Sequence, residues 1–380
     1  MNVRKNKLVG LATLGLVGGL ALSACGGDGG NRGDGGNGGG NGSDNGGAAA
    51  GGGDLSGELA GGGASSMGSA QGAWTAGFMG QNPEANVTYE ETGSGKGREQ
   101  FLAGGFKFAG SDAALDEEEL KKAKESVCAG GEAMDIPVYI SPIAVVFNLE
   151  GVDELNLAPA TIAGIFMGEI KTWDDEKIKA DNPDVELPST PIVPVNRQDK
   201  SGTTENFTEY LSETAGDVWT HGPVEEWPID GTQSGDGTTG LIEVVKGADG
   251  AIGYADASKA GDLGTAKIKV GEEWTAFTPE GAAKAVEVSP REEGRSELDY
   301  VVQLDRKTTE SGAYPLVLIS YLVVCDTYED AETADLVKAY AGYIVSDEGQ
   351  NESAEAAGSA PLTSGLSEDA QKAVDAIKAK

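Results

Sequence analysis

Two long apolar segments constrain the fold of this chain more than any other feature. They cover residues 136–149 and 314–326 and read IPVYISPIAVVFNL and YPLVLISYLVVCD. Continuous runs of this kind, rich in β-branched residues, are typical of strands that are buried on both faces. Each is long enough to cross between two lobes. We therefore expect one discontinuous lobe formed by residues 54–138 and 314–380, and a second lobe formed by residues 139–313.

The rest of the chain after residue 54 alternates short β-branched runs with segments of helical pattern. This alternation indicates an α/β class with a mainly parallel sheet. The predicted strands cover residues 86–91, 106–110, 136–148, 192–196, 251–254 and 316–326. The predicted helices cover residues 69–80, 116–125, 158–168, 203–213, 238–246, 279–288, 331–346 and 368–378.

The first 24 residues have the pattern of a secretory leader. Arg4, Lys5 and Lys7 form a basic start, and an apolar run follows from Leu8 to Leu22. This run is short for a membrane span and ends in the sequence LSAC at Cys25. The ending resembles the bacterial lipobox, in which the cysteine is acylated and becomes the mature N-terminus. We therefore predict a lipoprotein signal peptide at residues 1–24 and lipidation at Cys25; an ordinary signal peptide is the alternative.

The segment from residue 25 to residue 53 is expected to be a tether. Residues 26–53 contain 16 glycines among 28 residues, mostly interleaved with Asn, Asp and Ala. Such a composition offers no large apolar group that would offset the entropy of ordering the chain. The predicted arrangement is a lipid anchor on the outer face of the cell membrane, a flexible tether and an extracytoplasmic body.

Charge and residue counts exclude several functional classes. The chain has 28 Lys and Arg against 62 Asp and Glu, which gives a formal net charge of −34. This balance argues against nucleic-acid binding, because phosphate backbones require a basic face. The single histidine, His221, and the three cysteines leave little material for a metal site or for histidine-based catalysis. We therefore expect no metal and no cofactor.

The two cysteines of the body are Cys128 and Cys325. In an exported protein, an oxidising compartment favours a disulfide between them. Two buried free thiols are the alternative reading.

Four short polar segments carry the chemistry. Each combines glycine with hydroxyl residues between the end of a strand and the start of a helix. They are GGGASS at 61–66, TGSGKG at 92–97, AGSD at 109–112 and NRQDKSGTT at 196–204. Helix N-termini offer free N–H groups and a positive dipole end, and glycine allows close approach of the backbone. Together, the segments predict a site for a small oxyanion.

Two glycine motifs in the chain suggest nucleotide binding but do not fit it. The segment ending in Gly95-Lys96 has Glu90 in place of the first P-loop glycine and Gly97 in place of the magnesium-binding hydroxyl. The segment GDGTTG at 235–240 matches a dinucleotide motif, but residues from Gly231 onward are predicted as a loop, so no strand precedes it.

The motifs together resemble the PstS family, the phosphate-binding proteins of bacterial phosphate ABC transporters. The resemblance covers residues 58–375 and includes GGGAS at 61–65, TGSG at 92–95, AGSDA at 109–113, IFMGEIKTWDD at 165–175, NRQDKSGTT at 196–204 and GAIGY at 250–254. It implies an α/β, two-lobed type II periplasmic-binding-protein fold with a two-strand hinge.

The resemblance also implies a set of phosphate ligands. Matched motif by motif, the family's ligand-binding residues fall on Ser65, Ser66, Ser94, Asp112, Arg197, Ser201, Gly202 and Thr203. Asp199 would support Arg197. Ser66 stands where relatives often have Phe.

The resemblance implies a specific chemistry for Asp112. Phosphate at neutral pH keeps a proton that an ionised Asp112 can accept, whereas sulfate has none and would leave the carboxylate facing an anion. Arg197 would supply a charge-assisted contact.

The function implied is that of a non-enzymatic, monomeric solute-binding lipoprotein. It would capture inorganic phosphate between its lobes and deliver it to the membrane permease subunits of an ABC transporter. Binding of another oxyanion and, as the weaker alternative, an exported phosphatase remain open.

Overall fold

The computed structural model describes residues 55–380. The predicted leader, Cys25 and the whole of the predicted tether lie outside these residues. In the described part, no helix combines the length and apolar character needed to cross a membrane.

Each of the six predicted strands and eight predicted helices overlaps an element of the structure, and residues 55–380 contain a further seven strands and three α-helices that are not predicted from the sequence. The strands are β1 (Gly57–Gly63), β2 (Ala85–Glu91), β3 (Phe108–Ser111), β4 (Ala133–Asn148), β5 (Glu154–Leu157), β6 (Val193–Arg197), β7 (Gln233–Gly235), β8 (Ala251–Asp256), β9 (Gly264–Val270), β10 (Glu273–Thr275), β11 (Val317–Cys325), β12 (Thr327–Tyr328) and β13 (Lys378–Ala379). The helices are α1 (Gly68–Gln81), α2 (Ser94–Leu102), α3 (Glu117–Ser126), α4 (Pro159–Phe166), α5 (Glu176–Asp181), α6 (Gly202–Ala215), α7 (Gly237–Gly247), α8 (Pro279–Glu287), α9 (Ala331–Val345), α10 (Asp347–Ala357) and α11 (Ser364–Ala376).

The two long apolar segments form β4 and β11, which pair with each other in antiparallel fashion. Along the path β2-β1-β3-β11-β4-β8-β6-β7, they hold the centre of the main sheet. The first part of β4 pairs with β11, and its last six residues pair with β8. The two strands therefore connect the parallel group β1, β2 and β3 to the parallel group β6, β7 and β8, as expected of a two-strand hinge.

The sheet is mixed rather than mainly parallel. Strands β1, β2 and β3 run parallel, and so do β6, β7 and β8. The hinge strands are antiparallel to each other, β11 is antiparallel to β3, and β4 is antiparallel to β8. The group β1–β3 and the group β6–β8 therefore run in opposite directions. The expectation of a mainly parallel sheet thus holds for each outer group but is wrong for the centre.

A second correction concerns the residues from Gly231 onward, which the sequence predicts as a loop. Residues Gln233–Gly235 form β7, paired in parallel with β6. Three residues are too few to show the alternation of apolar and polar residues from which strands are predicted. The strand is recognisable only by its pairing with β6. Helix α7 follows directly.

The predicted disulfide is present between Cys128 and Cys325, with an S–S distance of 2.03 Å. Cys128 follows α3, and Cys325 is the last residue of β11, opposite Ala133 at the start of β4. Both cysteines are fully buried. The bond therefore fixes the hinge strands at one end.

The segment that follows α8 packs back onto the hinge strands. The backbone N–H of Tyr300 donates to the carbonyl of Asp135 on β4, and Val301 belongs to a buried cluster with Ile319 and Tyr321 of β11. This segment therefore contacts the same end of the hinge that bears the disulfide.

Candidate functional site

The loops at the carboxyl ends of the parallel strands converge on one place. Two loops come from the group β1–β3 and carry Ser65 and Asp112. The N-termini of α6 and α7 approach from the group β6–β8. The two groups run in opposite directions, so the carboxyl ends of β3 and β8 approach the middle of β4 from opposite sides. Ligands of α/β folds bind at the carboxyl ends of strands.

The carboxylate of Asp112 accepts hydrogen bonds from three hydroxyl side chains. Its Oδ1 accepts hydrogen bonds from Ser66 and Ser320, each at 2.7 Å. Its Oδ2 accepts one from Thr203 at 2.8 Å. The residue is 4% exposed, and this burial raises the pKa of its carboxyl, while the three hydroxyl donors and Arg197 oppose the rise. Hydroxyls that all donate to it hold the group as an acceptor.

Arg197 is held in a fixed orientation by Asp199. Its Nε and Nη2 lie 2.7 and 2.5 Å from the two oxygens of this carboxylate. The Nη2 atom also donates to the hydroxyl of Ser65 at 3.1 Å. A buried guanidinium oriented by a bidentate partner presents its remaining N–H groups in one direction. The expected supporting role of Asp199 fits this geometry.

The N-terminus of α6 faces the loop of Asp112. Ser201 is the N-cap residue, and its hydroxyl accepts from the N–H of Thr204 at 3.2 Å. A Cβ at Gly202 would lie 2.9 Å from the backbone N of Ala113, the Cβ of Asp112 and the Oγ of Ser94. Only glycine permits this approach without displacement of the neighbouring backbone.

Two other helices begin at the site without a side-chain cap. Gly93 precedes α2 with φ of 86°, a conformation that favours glycine, and Asp236 precedes α7. At α2, Ser94 is the first helical residue, and its hydroxyl accepts from the N–H of Asp112 at 3.1 Å.

The first N–H groups of α7 already have acceptors, since Gly237 donates to Oδ1 of Asp199 at 3.0 Å and Thr238 donates to the hydroxyl of Ser65 at 2.9 Å. At α2, the N–H of Gly95 donates to the carbonyl of Lys200 at 3.2 Å. An anion would bind these N–H groups by replacing such acceptors.

All the predicted ligand residues lie at these loops and helix starts. The seven residues that carry side chains are 4% exposed or less: Ser65, Ser66, Ser94, Asp112, Arg197, Ser201 and Thr203. The hydroxyl of Ser66 has a defined partner, because it donates to the carboxylate of Asp112. His221 is an exposed residue whose ring packs against Trp219.

Sequence reasoning missed two residues of the site. The hydroxyl of Thr238, in the first turn of α7, lies 3.0 Å from that of Ser65 and 3.5 Å from Nη1 of Arg197. Ser320 reaches Asp112 from the hinge strand β11. The GDGTTG segment could have indicated Thr238, because this segment links the end of β7 to the start of α7, and α7 begins at the site.

A cleft of about 880 Å³ opens beside Asp112. Its walls carry many carboxylates, among them Glu117, Glu205, Glu209 and Glu292. Such walls repel an anion, so the converging loops, with Arg197 and the helix N-termini, are the better anion site. Among residues 55–380, no group of three or more His, Cys, Asp or Glu side chains is placed to hold a metal ion.

Comparisons with known proteins agree with this geometry. Residues 48–348 match the model of the PBP superfamily domain. The chain is 33% identical over 299 residues to phosphate-binding protein PstS 2 of Mycobacterium tuberculosis, covering 78% of this chain and 80% of that protein. It is 28% identical to phosphate-binding protein PstS of Methanocaldococcus jannaschii, with coverage of 80% and 82%.

Solved structures share the fold. One is a high-affinity periplasmic phosphate-binding protein, PfluDING, bound with phosphate, with a TM-score of 0.68 at 20% identity and coverage of 83% of this chain and 93% of that chain. Another is the ancestral soluble variant of the human phosphate binding protein, with a TM-score of 0.67 at 21% identity and coverage of 82% and 92%.

Proposed function

Because the chain belongs to the PBP superfamily and, within it, to the PstS family of phosphate-binding proteins, we propose that it binds inorganic phosphate and delivers it to an ABC transporter. The ligands are Ser65, Ser66, Ser94, Asp112, Arg197, Ser201, Gly202 and Thr203. Thr238 joins them, and Asp199 orients Arg197. The chain acts as a solute-binding protein and not as an enzyme.

The observation that carries this proposal is the pairing of Asp112 with Arg197 at one site. The guanidinium and the helix N-termini attract an oxyanion, while the buried carboxylate requires that the anion bring a proton. Phosphate meets both conditions at neutral pH. Sulfate meets only the first, and it would leave two negative groups in contact.

The lobes are proposed as residues 54–138 with 314–380, and residues 139–313. Hydrogen bonds from Ser65 to Thr238 and from Thr203 to Asp112 would then join the two lobes across the ligand. The hinge strands β4 and β11 would carry the opening motion.

The chain is further proposed to be a monomeric lipoprotein, anchored through acylated Cys25 on the outer face of the cell membrane, where permease subunits receive the phosphate. The basic start, the apolar run and the LSAC ending support this localisation. Metabolic labelling with a radioactive fatty acid tests it: the parent chain is expected to be labelled, and Cys25→Ser is expected to be unlabelled and released.

Calorimetric titration tests the binding function. Residues 26–380 are unfolded and refolded to remove any ligand that has copurified, and they are titrated with phosphate and then with sulfate. We expect saturable phosphate binding and no heat from sulfate. The absence of phosphate binding by the folded protein would contradict the proposal, and tight sulfate binding would favour another oxyanion.

A further inference from the structure

A buried ion pair outside the predicted ligand set joins two distant elements next to the site. Arg98 on α2 and Glu225, in the loop after α6, form two hydrogen bonds, Nη1–Oε1 at 2.9 Å and Nη2–Oε2 at 2.8 Å. The side chains are 4% and 12% exposed. Fork-to-fork geometry of this kind is the strongest and most specific form of an ion pair.

Both members of the pair are attached to ligand loops. The Nη1 of Arg98 also donates to the hydroxyl of Ser111, the residue before Asp112, at 3.0 Å. The backbone carbonyl of Glu225 accepts from the N–H of Ser201, the N-cap residue of α6, at 3.1 Å. The ion pair therefore connects the loop of the carboxylate ligand to the helix start that faces it.

The surroundings hold each partner in place when the pair is formed. On the side of Arg98, Glu119 of α3 accepts from Nε at 3.1 Å. On the side of Glu225, the ammonium group of Lys200 lies 3.3 Å from Oε2. Lys200 also bonds to α2 through its backbone: its carbonyl accepts a hydrogen bond from the N–H of Gly95 at 3.2 Å.

The two residues belong to different parts of the fold. Helix α2 packs against β1 and β3, whereas α6 packs mainly against α4 and also contacts β8 and the hinge strand β11. In the lobes proposed above, Arg98 lies in the first and Glu225 in the second. An opening at the hinge separates the two charges, and closing brings them out of water together.

We propose that Arg98 and Glu225 form an interlobe clasp that closes when phosphate binds and that sets the rate of phosphate release. The clasp rests on the proposed function and adds its regulation. Both are positioning residues, since each holds a ligand loop without touching the anion. Loss of one partner removes two charge-assisted hydrogen bonds from the closed form and leaves the other partner with only Glu119 or Lys200 as its charged neighbour, which favours reopening. The effect falls on dissociation, because the pair forms after the encounter.

The experiment compares the parent chain, residues 26–380, with Glu225→Gln, Arg98→Met and the double variant. Bound radiolabelled phosphate is chased with unlabelled phosphate to give the dissociation rate. We expect each single variant to release phosphate about 30-fold faster or more. The double variant is expected to release it no faster than the worse single variant, because the two residues act as one pair. The association rate is expected to change less than about 3-fold.

The matched control is Glu154→Gln, which removes one negative charge from an exposed pair with Lys267 at 2.8 Å within the proposed second lobe. It is expected to release phosphate at the parent rate. Thermal unfolding without phosphate provides a second readout. A clasp that forms only on closure leaves this transition unchanged in Glu225→Gln and reduces only the stabilisation that phosphate adds.

The outcomes separate the two proposals. A parent chain that binds no phosphate overturns the proposed function and the clasp with it. A parent that binds phosphate, together with a Glu225→Gln variant that releases it at the parent rate, overturns the clasp alone. An equal loss of stability with and without phosphate assigns the pair a merely structural role and overturns the clasp as well. If Arg98→Met fails to fold because Glu119 is left unpaired, the Glu225→Gln result decides.

Discussion

The hydroxyl of Ser320 donates to Oδ1 of Asp112 across 2.7 Å, so the buried carboxylate of the site is bonded directly to a hinge strand. Ser320 pairs with Tyr139 of β4, and the register of the two hinge strands shifts immediately after it, at Tyr321. Any movement of β11 at this irregularity displaces a donor of Asp112. The carboxylate that we propose selects a protonated anion is therefore joined to the hinge by one hydrogen bond.

Replacement of Asp112 by Asn is expected to loosen the exclusion of sulfate. The amide removes the negative charge that repels a fully deprotonated anion, and it can donate a hydrogen bond to one. Phosphate affinity should fall by about 10-fold or less, whereas sulfate binding should become measurable. Calorimetry with both anions checks this. A variant that rejects sulfate as strongly as the parent would show that the carboxylate is not the discriminating group.

Replacement of Ser320 by Ala is expected to weaken phosphate binding by about 5- to 10-fold, because one donor of a buried carboxylate is lost. The matched control is Ser353→Ala, a change on α10. It removes a buried hydroxyl that is hydrogen-bonded to the hydroxyl of Ser359. The control should lose comparable stability and keep its phosphate affinity. Equal affinities for the two variants in calorimetry would remove Ser320 from the site.

Replacement of Arg197 by Ala is expected to reduce phosphate affinity by about 100-fold or more. The change removes the guanidinium and leaves Asp199 unpaired beside the anion. The exposed Lys372 provides a control of equal charge, and Lys372→Ala should bind as the parent does. Unchanged calorimetric affinity of Arg197→Ala would contradict the assignment of this residue as a ligand.

Glu205 is expected to make stability depend on pH. Burial, followed by the charge of nearby Glu225, raises its pKa to about 7 from an ordinary value of 4.5. Between these values, the folded protein holds a proton that the unfolded chain releases, so the free energy of unfolding falls as pH rises. Glu205→Gln should remove this pH-dependent loss. Compared with the parent, the variant should therefore retain about 1–3 kcal/mol more of its free energy of unfolding when the pH rises from 5 to 8.

Chemical denaturation at the two pH values measures the difference for Glu205→Gln. Glu243→Gln, at an exposed position of α7, is the control and should leave the pH dependence of the parent intact. A Glu205→Gln variant that retains the parent slope would assign the pH dependence to other groups.

Replacement of both Cys128 and Cys325 by Ser is expected to lower the free energy of unfolding by about 2–4 kcal/mol. The bond joins residues 197 positions apart, and it limits the unfolded chain far more than the folded one. Phosphate affinity should remain within about 2-fold of the parent, because neither cysteine contacts the ligand loops. A large loss of affinity at full folding would instead make the bond a determinant of the site.

The sequence contains enough local information to predict most elements and most of the site. The hinge strands, eight of the helices and the four polar segments can be read from runs of residues that are adjacent in the chain. The proposed ligand residues Ser65, Asp112 and Arg197 each occupy such a segment, and their proposed roles come from the family resemblance. Their juxtaposition depends on pairing through β4 and β11, which brings the carboxyl ends of two oppositely directed strand groups together.

The residues that sequence reasoning missed depend on pairing between distant parts of the chain. Ser320 lies within an apolar run, and only the register of β11 against β3, with Tyr321 opposite Ser111, brings it to Asp112. Thr238 follows a strand of three residues whose existence depends on β6. The charges of Arg98 and Glu225 are 127 residues apart, and nothing local distinguishes them from the many other charged residues.

The close approach at Gly202 bears on attempts to re-engineer this site for a larger anion. Two of the three atoms nearest to its absent side chain are a backbone nitrogen and a Cβ. Most designs enlarge a pocket by shortening side chains. Here such a change can remove the Oγ of Ser94, but it cannot remove the backbone nitrogen of Ala113. Widening the gap between α6 and the loop of Asp112 would therefore require a displacement of the helix itself.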